Sequence, residues 1–175
     1  MDEKGRKVPV PFIIHASSFG SIERALAAIL ETAAWREKEG KLPMLPVWLS
    51  PEQVRIIPVS NEKHLERCIE VAETLEKNRI RVGVDDRDLS VPKKVFEAKS
   101  RWIPYIVVIG DRELERKKFP VVVRERSTKD EEVREEMSVE QLVEEIKRKC
   151  KQMPFRPLYI PREMSKRVTF VPWGK

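Results

Sequence analysis

Residues 54–110 read VRIIPVSNEKHLERCIEVAETLEKNRIRVGVDDRDLSVPKKVFEAKSRWIPYIVVIG, and the order of patterns along them decides the fold. Val54 to Val59 is a β-branched run of strand length. Glu62 to Asn78 then places Leu65, Cys68, Ile69, Ala72 and Leu75 on one stripe of a helix, with Ser60 or Asn61 as its cap. Ile80 to Val84 predicts a second short strand, Val91 to Arg101 a second, charged helix, and Tyr105 to Ile109 a third, wholly apolar strand. Strand and helix in alternation imply right-handed crossovers and a parallel sheet, because consecutive parallel strands need a connection long enough to return over the sheet face.

Outward from that stretch, Gly110 and Asp111 open a loop to Pro120, and Val121 to Glu125 returns as a hairpin partner of the third strand. The expected fold is therefore α/β, a mixed and mostly parallel sheet flanked by helices. Ser138 with Gln141 forms a capping box ahead of Val139, Leu142, Val143, Ile146 and Cys150, a last amphipathic helix stopped by Pro154. On the other side, Lys41 to Pro51 holds Pro43, Pro46 and Pro51 and reads as a stiff connector. Before it, Pro11 to His15 is an apolar strand-like run. Ile22, Ala25, Leu26, Ile29, Leu30 and Ala33 then predict a buried helix from Ser21 to Glu39, ended by Gly40. The divisions are a strand–helix unit at 1–40, a connector at 41–53, the α/β domain at 54–153 and a tail at 154–175.

Composition bounds the chemistry. The 175 residues allow one compact domain with an appendage. Cys68 and Cys150 stand 82 positions apart, each on an apolar helix stripe, which excludes a disulfide scaffold or a cysteine metal knuckle. With six glycines and two histidines there is no phosphate-cradling loop, no nucleophile elbow and no clustered ligand set. The net charge is +6, and six bases against one acid in residues 151–175 put +5 of it in the tail. The rest is dense in charge of both signs with five Asn and Gln in the whole chain, a pattern compatible with a heat-adapted source. The uncharged stretch from Ile103 to Gly110 is far short of the roughly 20 apolar residues of a membrane span, and the N-terminus opens on Asp2, Glu3 and Lys4. A soluble, cytoplasmic protein without membrane association is expected.

Four stretches carry a resemblance. HASSFGSIER, His15 to Arg24, resembles the third signature motif of class II aminoacyl-tRNA synthetases in its threonyl form. LPVWLSPEQVRIIPVSNEKH, Leu45 to His64, is similar to the start of the anticodon-binding domain of the threonyl-tRNA synthetases. VGVDDRD (Val82 to Asp88) and IPYIVVIGDRE (Ile103 to Glu113) continue it, so that the match runs from about Phe12 to Cys150. The resemblance implies a class IIa anticodon-binding domain preceded by the last strand and helix of a catalytic domain.

By the same resemblance, Arg24 contacts ATP and His15 is one of three zinc ligands, both in the full-length enzyme only. The first and second class II motifs and the other two ligands have no counterpart in this chain, so no cofactor is expected in it and no aminoacylation by it. Read without the family, His15 is a solvated histidine at a strand end and Arg24 a surface charge. The implied anticodon readers are Asp88, Glu113 and Arg124. Guanine offers two neighbouring donors on its pairing edge and a carboxylate two acceptor oxygens, so Asp88 or Glu113 suits guanine, while Arg124 suits stacking on or bonding to an adjacent base. Many relatives carry asparagine where Asp88 stands, and the loop from Glu113 to Arg124 is longer than theirs.

Arg87, Lys93, Lys94, Lys99 and Arg112 are the bases placed to hold the RNA backbone. The alternatives are a turn carboxylate at Asp88 paired with Arg87, an exposed hairpin carboxylate at Glu113, a solvated charged face for the bases, and a strap for the tail. The implied partners are the anticodon stem-loop of threonine tRNA and the remainder of the catalytic domain, in an enzyme that is a homodimer when complete. A binding module without specificity for that tRNA, and a small enzyme of flavodoxin-like topology, are the competing readings.

Overall fold

The computed structural model describes residues 3–9, 14–18, 20–116 and 118–168. Its elements are α1 (Ile22–Lys38), β1 (Val54–Pro58), α2 (Asn61–Lys77), β2 (Val82–Val84), α3 (Val91–Ser100), β3 (Tyr105–Ile109), α4 (Asp111–Arg116), β4 (Phe119–Val123), β5 (Arg134–Met137) and α5 (Val139–Lys149), with a 3-10 turn at Met164–Lys166. The strands form one sheet in the order β2-β1-β3-β4-β5. β1 pairs in parallel with β2 and β3, and β4 runs antiparallel to both β3 and β5. The mixed sheet and the α/β class agree with the pattern of the sequence.

β1, β2 and β3 are apolar because helices cover both of their faces. On one side, α2 and α5 bring Cys68, Ala72, Leu75, Leu142 and Ile146 against Val54, Ile56, Val107 and Val121. On the other, α3 brings Ala98 against Ile57, Ile106 and Val122. The two crossover helices thus lie on opposite faces, which fixes a switch point between β1 and β3 where their loops diverge. Ser138 does cap α5: its hydroxyl accepts the Gln141 N–H at 3.3 Å while the Gln141 side chain accepts the Ser138 N–H at 2.9 Å. Ser60 is the N-cap of α2, yet its side chain makes no cap bond.

Two expectations change, one strand appears that the sequence does not announce, and one expected strand lies mostly outside the described residues. The segment expected to loop from Asp111 begins as the helix α4, whose acids Asp111 and Glu113 sit in the first turn, where the helix dipole favours negative charge. Its sequence is too short and polar to show an apolar period. β5 has no alternating pattern either, being Arg-Glu-Glu-Met; it is an edge strand whose charges face solvent and whose backbone pairs with β4. The apolar stripe of α1 is buried only at Ala33: Ile22, Leu26 and Leu30 are 77%, 53% and 55% exposed, because no described element packs over them. Residues 11–13 of the expected first strand lie outside the described residues, and Ile14 and His15 are exposed without strand pairing.

One buried charge cluster shapes the sheet. Arg55, the second residue of β1, is fully buried and donates to both oxygens of Glu52, with Asp85 3.8 Å away. Gly83 opposite Arg55 makes room for it: a Cβ there would lie 1.9 Å from Glu52 Oε1.

Candidate nucleic-acid interface

In open α/β sheets the crevice at the carboxyl ends of the parallel strands is where the loops can build a site. Here that edge comprises Val59 and Ser60 after β1, residues 85–90 after β2, and Gly110 with α4 after β3. α2 and α3 start on it, and neither Ser60 nor Ser90 spends its side chain on the helix end. The first-turn amides of these two helices therefore take no bond from their N-cap serines, and the dipole adds positive potential.

The loop after β2 is an acidic run, Asp85-Asp86-Arg87-Asp88. Asp85 is buried and extends the ladder, its N–H donating to Ile56 O at 2.9 Å. Burial pushes its carboxyl up, but the bonds from Arg87 and the charges of Arg87, Arg55 and Lys94 outweigh this and hold it below the ordinary value. Arg87 donates to both Asp85 oxygens at 2.8 and 2.7 Å and to Glu97 at 2.7 Å, and its guanidinium proton is held more tightly as a result. Asp86 accepts at its carbonyl from Asn61 Nδ2 at 2.7 Å. Asp88 alone of the loop carboxylates is exposed, with no hydrogen bond or ion pair to a described residue. The turn pairing of Asp88 with Arg87 does not form, because Asp85 and Glu97 already take that guanidinium.

Across the switch point, Glu113 is half-buried and one of its oxygens accepts the Gly110 N–H at 2.9 Å. Its neighbour Asp111 pairs with His64, whose Nε2 lies 3.1 Å from the carboxylate while Nδ1 accepts the Ser60 N–H at 3.1 Å. An imidazole that accepts at Nδ1 carries its proton on Nε2, so it donates to Asp111. That bond, with the nearby charge of Lys63, keeps the Asp111 carboxyl below its ordinary value. His64 thus ties the start of α2 to the start of α4. Asp88 and Glu113 follow strands that flank β1, so the backbones they leave are about 10 Å apart. The sequence assigns no part in the site to Asp85, Asp86 or His64, and names Asn61 only as a candidate helix cap, although all four lie in the stretches quoted above.

The remaining expected site residues are distributed differently. Arg124 directly follows β4, beside the start of β3, about 16 Å along the strand from the Glu113 edge. It is 7% exposed, and its guanidinium donates to Pro43 O at 2.9 Å and Lys99 O at 2.8 Å. Burial, followed by the charge of Arg36, lowers its proton affinity. Lys94 is 3% exposed, its charge directed at Asp85, so it is no part of a surface for phosphates. Arg87 is spent on its two carboxylates and Lys99 pairs with Glu132. Lys93 and Arg112 are exposed near the edge. A cavity of about 460 Å³ lined by Trp102, Ile106, Val122 and Arg124 lies at the far end of the sheet from Asp88.

At the N-terminal end, His15 and Arg24 are exposed. His15 does not fit a zinc site here: a bound zinc needs three or four converging ligands, and the described residues hold no group of three His, Cys, Asp or Glu placed to supply them. No helix among the described residues is long and apolar enough to cross a membrane.

Comparison with known proteins agrees with this fold. Residues 53–149 match the family described as anticodon binding domain. The threonine–tRNA ligase of Methanocaldococcus jannaschii is 48% identical over 155 residues, which is 89% of this chain and 25% of that protein. Its counterpart from Methanosarcina mazei is 47% identical over 165 residues, 94% of this chain and again 25% of the relative. The chain therefore spans about a quarter of the length of these relatives. Among solved structures, the RNA binding domain of threonyl-tRNA synthetase from Cryptosporidium parvum Iowa II aligns with a TM-score of 0.54 at 28% identity, covering 69% of this chain and 27% of that one. Prolyl-tRNA synthetase from Cryptosporidium parvum shares the fold, with a TM-score of 0.57 at 24% identity over 71% of this chain and 26% of that one. With more than half of its residues inside the matched region, the chain belongs to the anticodon-binding domain family.

Proposed function

We propose that this chain recognises the anticodon loop of threonine tRNA as the C-terminal part of a longer threonyl-tRNA synthetase. The observation that carries the reading is the pairing of Asp88 and Glu113 on one sheet edge, with Asp88 the loop carboxylate left without a partner. A splayed guanine would donate its two edge N–H groups to both oxygens of Asp88. Glu113, with one oxygen already used by Gly110, has the other for an adjacent base. The amides at the starts of α2 and α3, with Lys93 and Arg112, would hold the phosphates between them.

Joining threonine to the tRNA with ATP, and the zinc-dependent choice of threonine, belong on this reading to parts of the enzyme outside the chain. So do the catalytic partner surfaces: the exposed face of Ile22, Leu26 and Leu30 would pack against the remainder of the catalytic domain in a cytoplasmic homodimer. Filter binding tests the reading by comparing threonine tRNA with the same tRNA carrying a swapped anticodon. A clear preference for the former is expected; equal binding would favour the rival, an anticodon-like module without that specificity.

A further inference from the structure

The tail beyond α5 returns to the functional edge. Pro161 to Val168 runs beside β2, where the Val84 N–H donates to Arg162 O at 2.8 Å and Val84 bridges Glu163 in parallel. Met164 buries its side chain to 7% exposure. Arg167 reaches the buried charge cluster, donating to Glu52 Oε2 at 3.0 Å, and folds its own segment by donating to Pro161 O at 2.8 Å. Between these anchors, Ser165 donates to both oxygens of Asp86: its N–H to Oδ1 at 2.8 Å and its hydroxyl to Oδ2. Asp86 lies two residues before Asp88.

We infer that residues 162–167 are a strap that holds the β2–α3 loop in its reading conformation, with Ser165 a positioning residue that acts on Asp88 through Asp86. The inference rests on the anticodon reading of this edge and adds what keeps the reader in place. The loop is fixed from three directions. Arg87 locks Asp85 to Glu97 on α3, Asn61 at the start of α2 holds the Asp86 carbonyl, and Ser165 holds the Asp86 carboxylate. The first two anchors come from the sheet and its helices. The third comes from a segment 79 residues away in sequence, and it is the one that fixes the side chain next to Arg87. Binding by a loop already in the bound conformation avoids the cost of ordering it; a loop that visits this conformation a tenth of the time binds about tenfold more weakly.

The test uses the whole chain. Ser165→Asp sets a second carboxylate against Asp86 and should release the strap at this point, while the pair Ser165→Asp with Asp86→Asn replaces repulsion by an amide–carboxylate bond. Hydrogen exchange of the free protein should show loop amides 86–90 exchanging about tenfold faster in the single variant, with β1 and β3 unchanged. Its preference for threonine tRNA over the anticodon-swapped tRNA should fall about tenfold. The double variant should recover both. Should Ser165→Asp fail to fold, Ser165→Ala, which removes only the hydroxyl bond, is expected to move both readouts the same way by about threefold. Loop exchange that does not change, or that rises while the tRNA preference of the variant equals that of the wild type, overturns the inference. A wild-type chain that binds both tRNAs equally overturns the anticodon reading and the strap's part in it together; it is told apart from failure of the strap alone, in which the wild type still discriminates.

Discussion

Replacing Asp88 by alanine gives the sharpest test of the edge, because the structure separates its effect on binding from its effect on folding. Asp88 is exposed and bonds to no described residue, so its removal leaves nothing unpaired and should change unfolding free energy by less than about 0.5 kcal/mol. In a complex its two oxygens would face the two donors of a guanine, and a bidentate base contact of that kind discriminates by about 1–3 kcal/mol. The dissociation constant for threonine tRNA should therefore rise about 5- to 160-fold in Asp88→Ala. Binding of a tRNA with a swapped anticodon should change little. The salt slope supplies a second control. Since Asp88 contacts a base and not a phosphate, the dependence of log K on log salt should keep its slope in the variant, whereas Lys93→Ala should lower that slope by about one. Fluorescence titration at three salt concentrations with both tRNAs measures all of this. Equal weakening for both tRNAs would show that Asp88 does not read a base, whatever the size of the loss.

Glu113→Ala should cost less than Asp88→Ala in the same titration, about 1 kcal/mol, because one of its oxygens serves the Gly110 N–H; a loss larger than that of Asp88→Ala would contradict this division. Gly83→Ala should destabilise the chain by about 2 kcal/mol or more in urea unfolding, since the added carbon would meet Glu52 Oε1 at 1.9 Å beside a buried arginine. Asp85 is held below 3.8, the ordinary value of its carboxyl; its stabilisation is complete above that pH and lost as pH falls through the lower folded value. The acid limb of the stability curve should accordingly be shallower in Asp85→Asn below about pH 4, and a limb that stays as steep would assign it to other carboxylates. Leu26→Glu should leave the unfolding midpoint of the chain unchanged and reduce self-association at high concentration, read by light scattering, because this side chain is 53% exposed.

How legible the fold was depended on the source of each element's stability. β1, β3, α2 and α5 are stabilised by burying apolar side chains, and apolar side chains leave a period that a sequence displays. β5 and α4 owe their form to backbone pairing with β4 and to acids at a helix start, and neither leaves an apolar period. α1 shows the reverse difficulty: its stripe is as periodic as that of α2, yet periodicity says only that a face is apolar, not that its cover belongs to the same chain. For the site, the quoted stretches bring Asp88 and Glu113 within reach of one edge. What they could not reveal is competition for partners. Arg124 and Lys94 are indistinguishable in sequence from surface bases; only the packing shows one donating to two carbonyls and the other buried beside Asp85.

The bonds of Arg124 also bear on how the two ends of the molecule are held in relation to each other. One goes to the connector at Pro43 and the other to the last turn of α3 at Lys99, while Lys41 bridges Thr128 and Lys129 pairs with Glu37 of α1 at 2.7 Å. A connector pinned at that many points behaves as a fixed bracket instead of a hinge. On the proposed function, such a bracket would set the span between the body resting on α1 and the RNA at the strand ends, as a gauge of length. The buried guanidinium of Arg124 is one of its pins, and loosening it would act on the spacing while leaving every group at either end chemically intact.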